Sequence, residues 1–122
     1  MTVVAAILTS VIASFVISTV WYSVLGRGHA SDDRRPSPLQ IVAEFGRSAL
    51  VAGAIVGLAK AMDIATIGPM LLLALVLWVA FPFVLLSGSV MWDKVPVATA
   101  ARHGGDWLIK LLAVGAIVGL WL

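Results

Sequence analysis

Four long apolar runs leave this chain few ways to fold. They cover residues 3–25, 39–61, 69–91 and 97–122, and are 23, 23, 23 and 26 residues long. A helix needs about 20 apolar residues to cross roughly 30 Å of hydrocarbon, so each run is long enough to span a bilayer. Helices are the only consistent form. Lipid offers backbone polar groups no partner, and the runs lack the alternating segments of about ten residues that mark barrel strands. Composition agrees: 61% of residues are hydrophobic and 11% charged, with a mean hydropathy of +1.10, whereas a soluble domain carries about 25% charge. No polar stretch is long enough to build an extramembrane catalytic or nucleic-acid-binding domain. Cysteine is absent, which removes disulfides, thiol catalysis and thiolate metal sites.

Punctuation between the runs sets the architecture. Ser37-Pro38 reads as an N-cap with proline at the first helical position, Gly68-Pro69 as the entry to the third helix, and Pro96 as the opening of the fourth. The first connection holds Arg27, Asp32, Asp33, Arg34 and Arg35 and is solvated; the other two are short. Short connections make successive helices antiparallel neighbours. The expected fold is all-α, an integral membrane four-transmembrane-helix bundle forming a single domain over residues 1–122. Arg27, Arg34, Arg35, Lys94 and Arg102 gather on one side and Lys60 stands on the other. The positive-inside rule then makes this a multi-pass protein of the cytoplasmic (inner) membrane with N- and C-termini outside. Gly28-His29-Ala30 would suit a signal-peptide cleavage site, but a basic n-region is missing and the preceding run is too long.

The second and fourth runs echo each other. At a shift of 62 positions, Gly53–Leu58 and Gly115–Leu120 both read GAIVGL, and seven of fifteen positions match between residues 44–58 and 106–120. A duplication would make the fold two parallel helical-hairpin repeats related by an axis along the membrane normal. Apolar composition inflates such matches, and the first and third runs share no identities at this shift, so coincidence stays open. Each copy holds a GxxxG, Gly53 with Gly57 and Gly115 with Gly119. Glycines four apart bare one helical face and let another backbone approach closely. These four are the candidate helix-packing residues, within the bundle or between protomers. Ala6, Ser10, Ser14 and Ser18 give the first helix a matching small-residue seam, whose hydroxyls need no ligand because they can bond back to their own helix.

Ionisable residues in a spanning helix are costly and point to function by default. Here they are Glu44 and Arg47 in the second helix, and Arg102, His103, Asp106 and Lys110 in the fourth. Each acid has a base three or four residues away, which favours structural ion pairs. Depth agrees, because twenty residues back from Leu122 puts the inner boundary near His103 and Asp106 about one turn inside. The other reading is a polar entrance to a solute or proton pathway lined by Glu44, Arg47, His103, Asp106 and Lys110. Pro82 should kink the third helix. Trp21, Tyr22, Trp92 and Trp107 at one end and Trp121 at the other follow the aromatic-belt pattern of interfacial anchors.

No HExxH, GxSxG, P-loop, paired histidine ligands or carboxylate dyad is present, so no known catalytic or metal constellation is visible and no cofactor is expected. Three features together carry a resemblance: Trp21-Tyr22-Ser23 closing the first run, Trp92-Asp93-Lys94-Val95-Pro96 before the last, and the final Gly115-Ala116-Ile117-Val118-Gly119-Leu120-Trp121. In these the chain resembles the bacterial membrane family called domain of unknown function 1761. The resemblance spans most of the chain and implies one compact four-helix domain, with no established activity. Members typically continue the first motif as WYSPLLFG, where this chain has Val24, Leu25, Gly26 and Arg27, and often carry a tyrosine and histidine where it has Asp106 and Trp107.

The function expected from these readings is a non-enzymatic membrane protein, an oligomer-forming or accessory subunit that packs through its GxxxG faces. Its partners would be the lipid bilayer, touched by the basic loop Arg27, Arg34 and Arg35, and copies of itself or a larger membrane complex, with no nucleic acid. The alternative is a small oligomeric transporter or channel for a small solute or ion.

Overall fold

A computed structural model of the protein describes residues 3–25 and 37–121. Arg27, Arg34 and Arg35 lie outside them. Among these described residues four helices account for the regular structure: α1 (Val3–Leu25), α2 (Pro38–Ala61), α3 (Ile67–Trp92) and α4 (Val97–Trp121). Each is long and apolar enough to cross a membrane, and at about 1.5 Å per residue they run about 35–39 Å.

Local chemistry explains the boundaries. Ser37 Oγ accepts from the Gln40 backbone N–H while the Gln40 side chain accepts from the Ser37 N–H, a reciprocal capping box with Pro38 at the first helical position. At the other end of α2, Asp63 takes a left-handed φ of 57° and the Ile64 N–H reaches back to the Ala59 carbonyl at 2.8 Å. This is a Schellman closure with aspartate where glycine is usual. α3 starts at Ile67, with Thr66 at the N-cap position but making no side-chain capping bond, two residues before the expected entry at Pro69. Proline is tolerated there because first-turn N–H groups have no helical acceptor to lose. The kink expected at Pro82 takes the form of a π-helical turn over Val79–Phe83. Pro82 offers no N–H to the Trp78 carbonyl four residues earlier, and the helix widens around the gap without ending.

α4 is the axis of the bundle. α1 and α3 both pack along it and run antiparallel to it: Tyr22 near the end of α1 meets His103 near the start of α4, while Ile67 at the start of α3 lies against Gly119. α2 packs mainly on α1, where Phe15 and Phe45 stack at 5.0 Å between ring centres. The buried core joins Ala52, Ile55, Val56 and Ala59 of α2, Met70 and Ala74 of α3, and Leu111, Val114 and Val118 of α4. Ala6, Ser10 and Ser14 of α1 are also buried. Ser10 Oγ has no partner there, so that position contributes small volume and not a hydrogen bond. Farther from their shared connection, α2 and α3 are separated by an open cleft.

The two GAIVGL segments therefore occupy different surroundings. A Cβ at Gly119 would lie 2.9 Å from the Ile67 Cα, and one at Gly115 3.1 Å from the Met70 carbonyl oxygen, so these glycines let α3 and α4 touch backbone to backbone. At Gly53 and Gly57 a Cβ would meet nothing within 4 Å. Gly119→Ala should accordingly lower the stability of the bundle by about 1–3 kcal/mol through overpacking. Gly53→Ala should leave the folded monomer unchanged or raise its stability by up to about 1 kcal/mol through better helix propensity. Thermal unfolding of the two variants in one detergent checks the contrast.

Candidate functional site

The polar side chains converge on one end of the bundle, where α1 and α3 finish and α2 and α4 begin. Ser18 lies seven residues before the end of α1, Glu44 six after the start of α2 and Asp106 nine after the start of α4. At the rise of an α-helix these are depths of about 9–13 Å. The helices overhang a 30 Å apolar layer by only a few ångströms at each end, which puts the group roughly a turn or more inside it.

Asp106 and Lys110 form its buried centre. Lys110 Nζ donates to Asp106 Oδ2 at 2.8 Å, with side chains 6% and 3% exposed. One turn of helix puts the pair on a single face, and α1 completes it: Ser18 Oγ donates to Asp106 Oδ1 at 2.9 Å. Lys110 Nζ also stands 4.0 Å above the centre of the Trp107 ring, so the ammonium is held by a carboxylate and a π face, both from its own helix. Nearer the surface, Arg47 pairs with Glu44 one turn earlier on α2, and its guanidinium carbon lies 5.9 Å from the centre of the same Trp107 ring. Tyr22 Oη and His103 Nδ1 are hydrogen-bonded at 2.6 Å. The hydroxyl donates when the imidazole is the neutral Nε2–H tautomer, in which Nδ1 is the acceptor. Glu44, Arg47, His103, Asp106 and Lys110 thus do come together, with Ser18, Tyr22 and Trp107 added by the fold. They line a polar cleft of about 340 Å³ that also takes in Ser14, Thr19 and Ser48.

Two tryptophans hold α4 in place beside it. Trp21 of α1 donates its indole N–H to the Arg102 carbonyl at 2.9 Å, and Trp78 of α3 donates to the Gly104 carbonyl at 2.8 Å. A carbonyl has two lone pairs and accepts both its helical partner and an indole. Gly105 makes room for one ring, since a Cβ there would sit 2.5 Å from Trp21 Cζ2; a Cβ on Gly104 would be in ordinary contact with the other, 3.7 Å from Trp78 Cζ2. Trp21 and Trp107 thus act inside the bundle, beyond the anchoring expected of them, whereas Trp92 is 80% exposed as a belt residue would be.

A second cleft, of about 640 Å³ and apolar, separates α2 from α3. Val51, Ala54 and Leu58 form one wall and Leu77, Phe81, Pro82 and Leu85 the other. Arg47, His103 and Trp107 line both clefts and form the seam between them. Among the described residues no group of three or more His, Asp or Glu side chains is placed to hold a metal ion.

Removing one member of a buried pair strands the other charge, which costs about 3–5 kcal/mol, whereas replacing both with apolar or neutral groups is often neutral. Asp106→Asn should therefore destabilise the bundle strongly, and adding Lys110→Met should restore most of the loss. Thermal unfolding of the single and double variants in detergent measures this; equal destabilisation in both would show that the pair is not coupled.

The family model described as a protein of unknown function (DUF1761) matches residues 5–119. Comparison with curated proteins and with solved structures finds no significant match. With four membrane-spanning helices and a family match over nearly its whole length, the chain is a membrane protein that belongs to the DUF1761 family.

Proposed function

We propose that the protein is a non-enzymatic component of the cytoplasmic membrane that assembles with copies of itself or with another membrane subunit through the outer face of α2. The observation that carries this reading is the asymmetry between the two GxxxG pairs. Gly115 and Gly119 are used up against α3, while Gly53 and Gly57 face open space beside an exposed Leu50. Membrane helices associate through close backbone approach at small residues because lipid tails supply no hydrophobic drive between them. A bare GxxxG directed away from its own bundle has the shape such contacts use. In this orientation both termini face outward and the basic loop Arg27, Arg34 and Arg35 lies among anionic headgroups on the cytoplasmic side.

A small transporter is the second reading, favoured by the polar cleft and its two ion pairs inside the apolar layer. One bundle of four helices gives little room for a path, so this reading also requires at least a dimer. The two separate on substitution. Gly57→Leu should shift the complex extracted from membranes toward single chains, read as mass by native mass spectrometry, while unfolding of the monomer stays unchanged. An unaltered assembly would refute the α2 interface. Glu44→Gln should leave assembly intact; loss of an ion or solute flux in liposomes with the complex preserved would favour transport.

A further inference from the structure

We propose that the two clefts together hold one anionic phospholipid of the surrounding bilayer, with its phosphate at the seam formed by Arg47, His103 and Trp107 and one acyl chain lying between α2 and α3. The argument starts from the shape of the joined space. The apolar cleft runs beside α2 from Arg47 to Leu58, eleven residues or about 16 Å along the axis. That is close to the depth of one leaflet, half of roughly 30 Å. Its volume of about 640 Å³ falls within the 300–1,000 Å³ common for ligand sites. Its walls below the seam are aliphatic or aromatic: Val51, Ala54, Leu58, Phe81, Leu85. Such a cleft in a membrane does not stay empty, and an acyl chain fits both its length and its chemistry.

Charge selects the headgroup. Among the described residues Lys60 and Asp63 cancel at the other end of the bundle, while Arg47, Lys94, Arg102 and Lys110 stand against Glu44, Asp93 and Asp106 at the end where the seam lies, a net charge of +1 there. Within the seam Lys110 is neutralised by Asp106 and buried, and Arg47, though paired with Glu44, keeps its side chain 58% accessible. Its contact with Glu44 engages a single guanidinium nitrogen, and the remaining N–H groups form the planar fork that suits a phosphate. The imidazole of His103, exposed and held through Nδ1 by Tyr22, presents its other nitrogen as a second donor. The cleft is separate from the GxxxG face: Ala54 and Leu58 each follow a glycine of that motif by one residue, about 100° around the helix. A lipid seated here and a partner helix on Gly53 and Gly57 do not exclude one another.

The test uses the full chain, purified in mild detergent and titrated with phosphatidylglycerol or phosphatidylcholine of matched acyl chains, with bound lipid counted by native mass spectrometry. One phosphatidylglycerol per chain should be retained about tenfold better than phosphatidylcholine, whose phosphate reaches the same N–H groups but brings a choline cation against the guanidinium. Arg47→Gln should abolish the preference and Arg47→Lys should keep most of it. Ala54→Trp fills the apolar cleft from an exposed position and should expel either lipid, whereas Ile12→Trp, exposed on α1 and outside both clefts, should leave lipid retention unchanged. Helical circular dichroism confirms that each variant is folded. Equal retention of the two lipids, binding that survives Ala54→Trp, retention of a free fatty acid in place of phospholipid, or no lipid bound at all would each overturn the proposal.

Discussion

A carboxylate and an ammonium a turn or more inside an apolar layer are tolerated only if neither is left without a partner. On insertion scales each charge near the middle of a spanning helix costs about 2.5–3.5 kcal/mol, and leaving one unpaired costs more. Asp106 and Lys110 meet this constraint with each other, with Ser18 from α1 and with the face of Trp107. Much of the surrounding arrangement serves the same condition. The end of α1 must lie against α4 for its hydroxyl to reach the carboxylate. Trp21 fixes that approach by binding the Arg102 carbonyl, and Gly105 provides the room. Trp78 likewise fixes α3 by donating to the Gly104 carbonyl.

The arrangement also accounts for the division between the two similar segments. α4 carries the buried pair and is enclosed by α1 and α3, so its GxxxG is spent on close contact with the start of α3. α2 carries an ion pair near the surface, is held chiefly by α1, and keeps the same motif bare. One six-residue sequence thus serves as internal packing in one helix and as an outer face in the other. What differs is the surroundings that the first half of each helix imposes, Glu44 and Arg47 in α2 against the Gly104-Gly105-Asp106 stretch in α4.

Much of this was legible in the residues. Hydrophobic length gave four spans to within about two residues, because a helix in lipid has no alternative way to satisfy its backbone. α3 starts two residues before the boundary that Gly68-Pro69 suggests, because proline is harmless within a first turn. The spacing of Asp106 and Lys110 disclosed their pair, and that of Glu44 and Arg47 disclosed theirs. Ser18 was not recognisable as a partner of Asp106: 88 residues separate them, and a serine in a membrane helix satisfies itself as readily as Thr19 and Ser23 do here. Two further signals lie in the sequence. Adjacent glycines inside a helix, as at Gly104-Gly105, each cost about 1 kcal/mol and call for a close neighbour. A tryptophan at mid-span such as Trp78 needs an acceptor for its N–H. Together they point to an indole at the pair, as Trp21 lies on Gly105 and Trp78 donates to the Gly104 carbonyl.

Where α2 stands in the assembled state is the most direct test of the account, and the absence of native cysteine makes it clean. Single cysteines at Gly46 or Leu50, on the outer face of α2, and at Ile12 or Leu72, exposed on α1 and α3, would be oxidised in native membranes and scored for disulfide-linked species. A disulfide forms when two Cα atoms come within about 7 Å. The account predicts efficient cross-linking at the α2 positions, to a second copy or to one discrete partner, and little at the other two. Cross-linking that is absent from α2, or equal at all four positions, would contradict it.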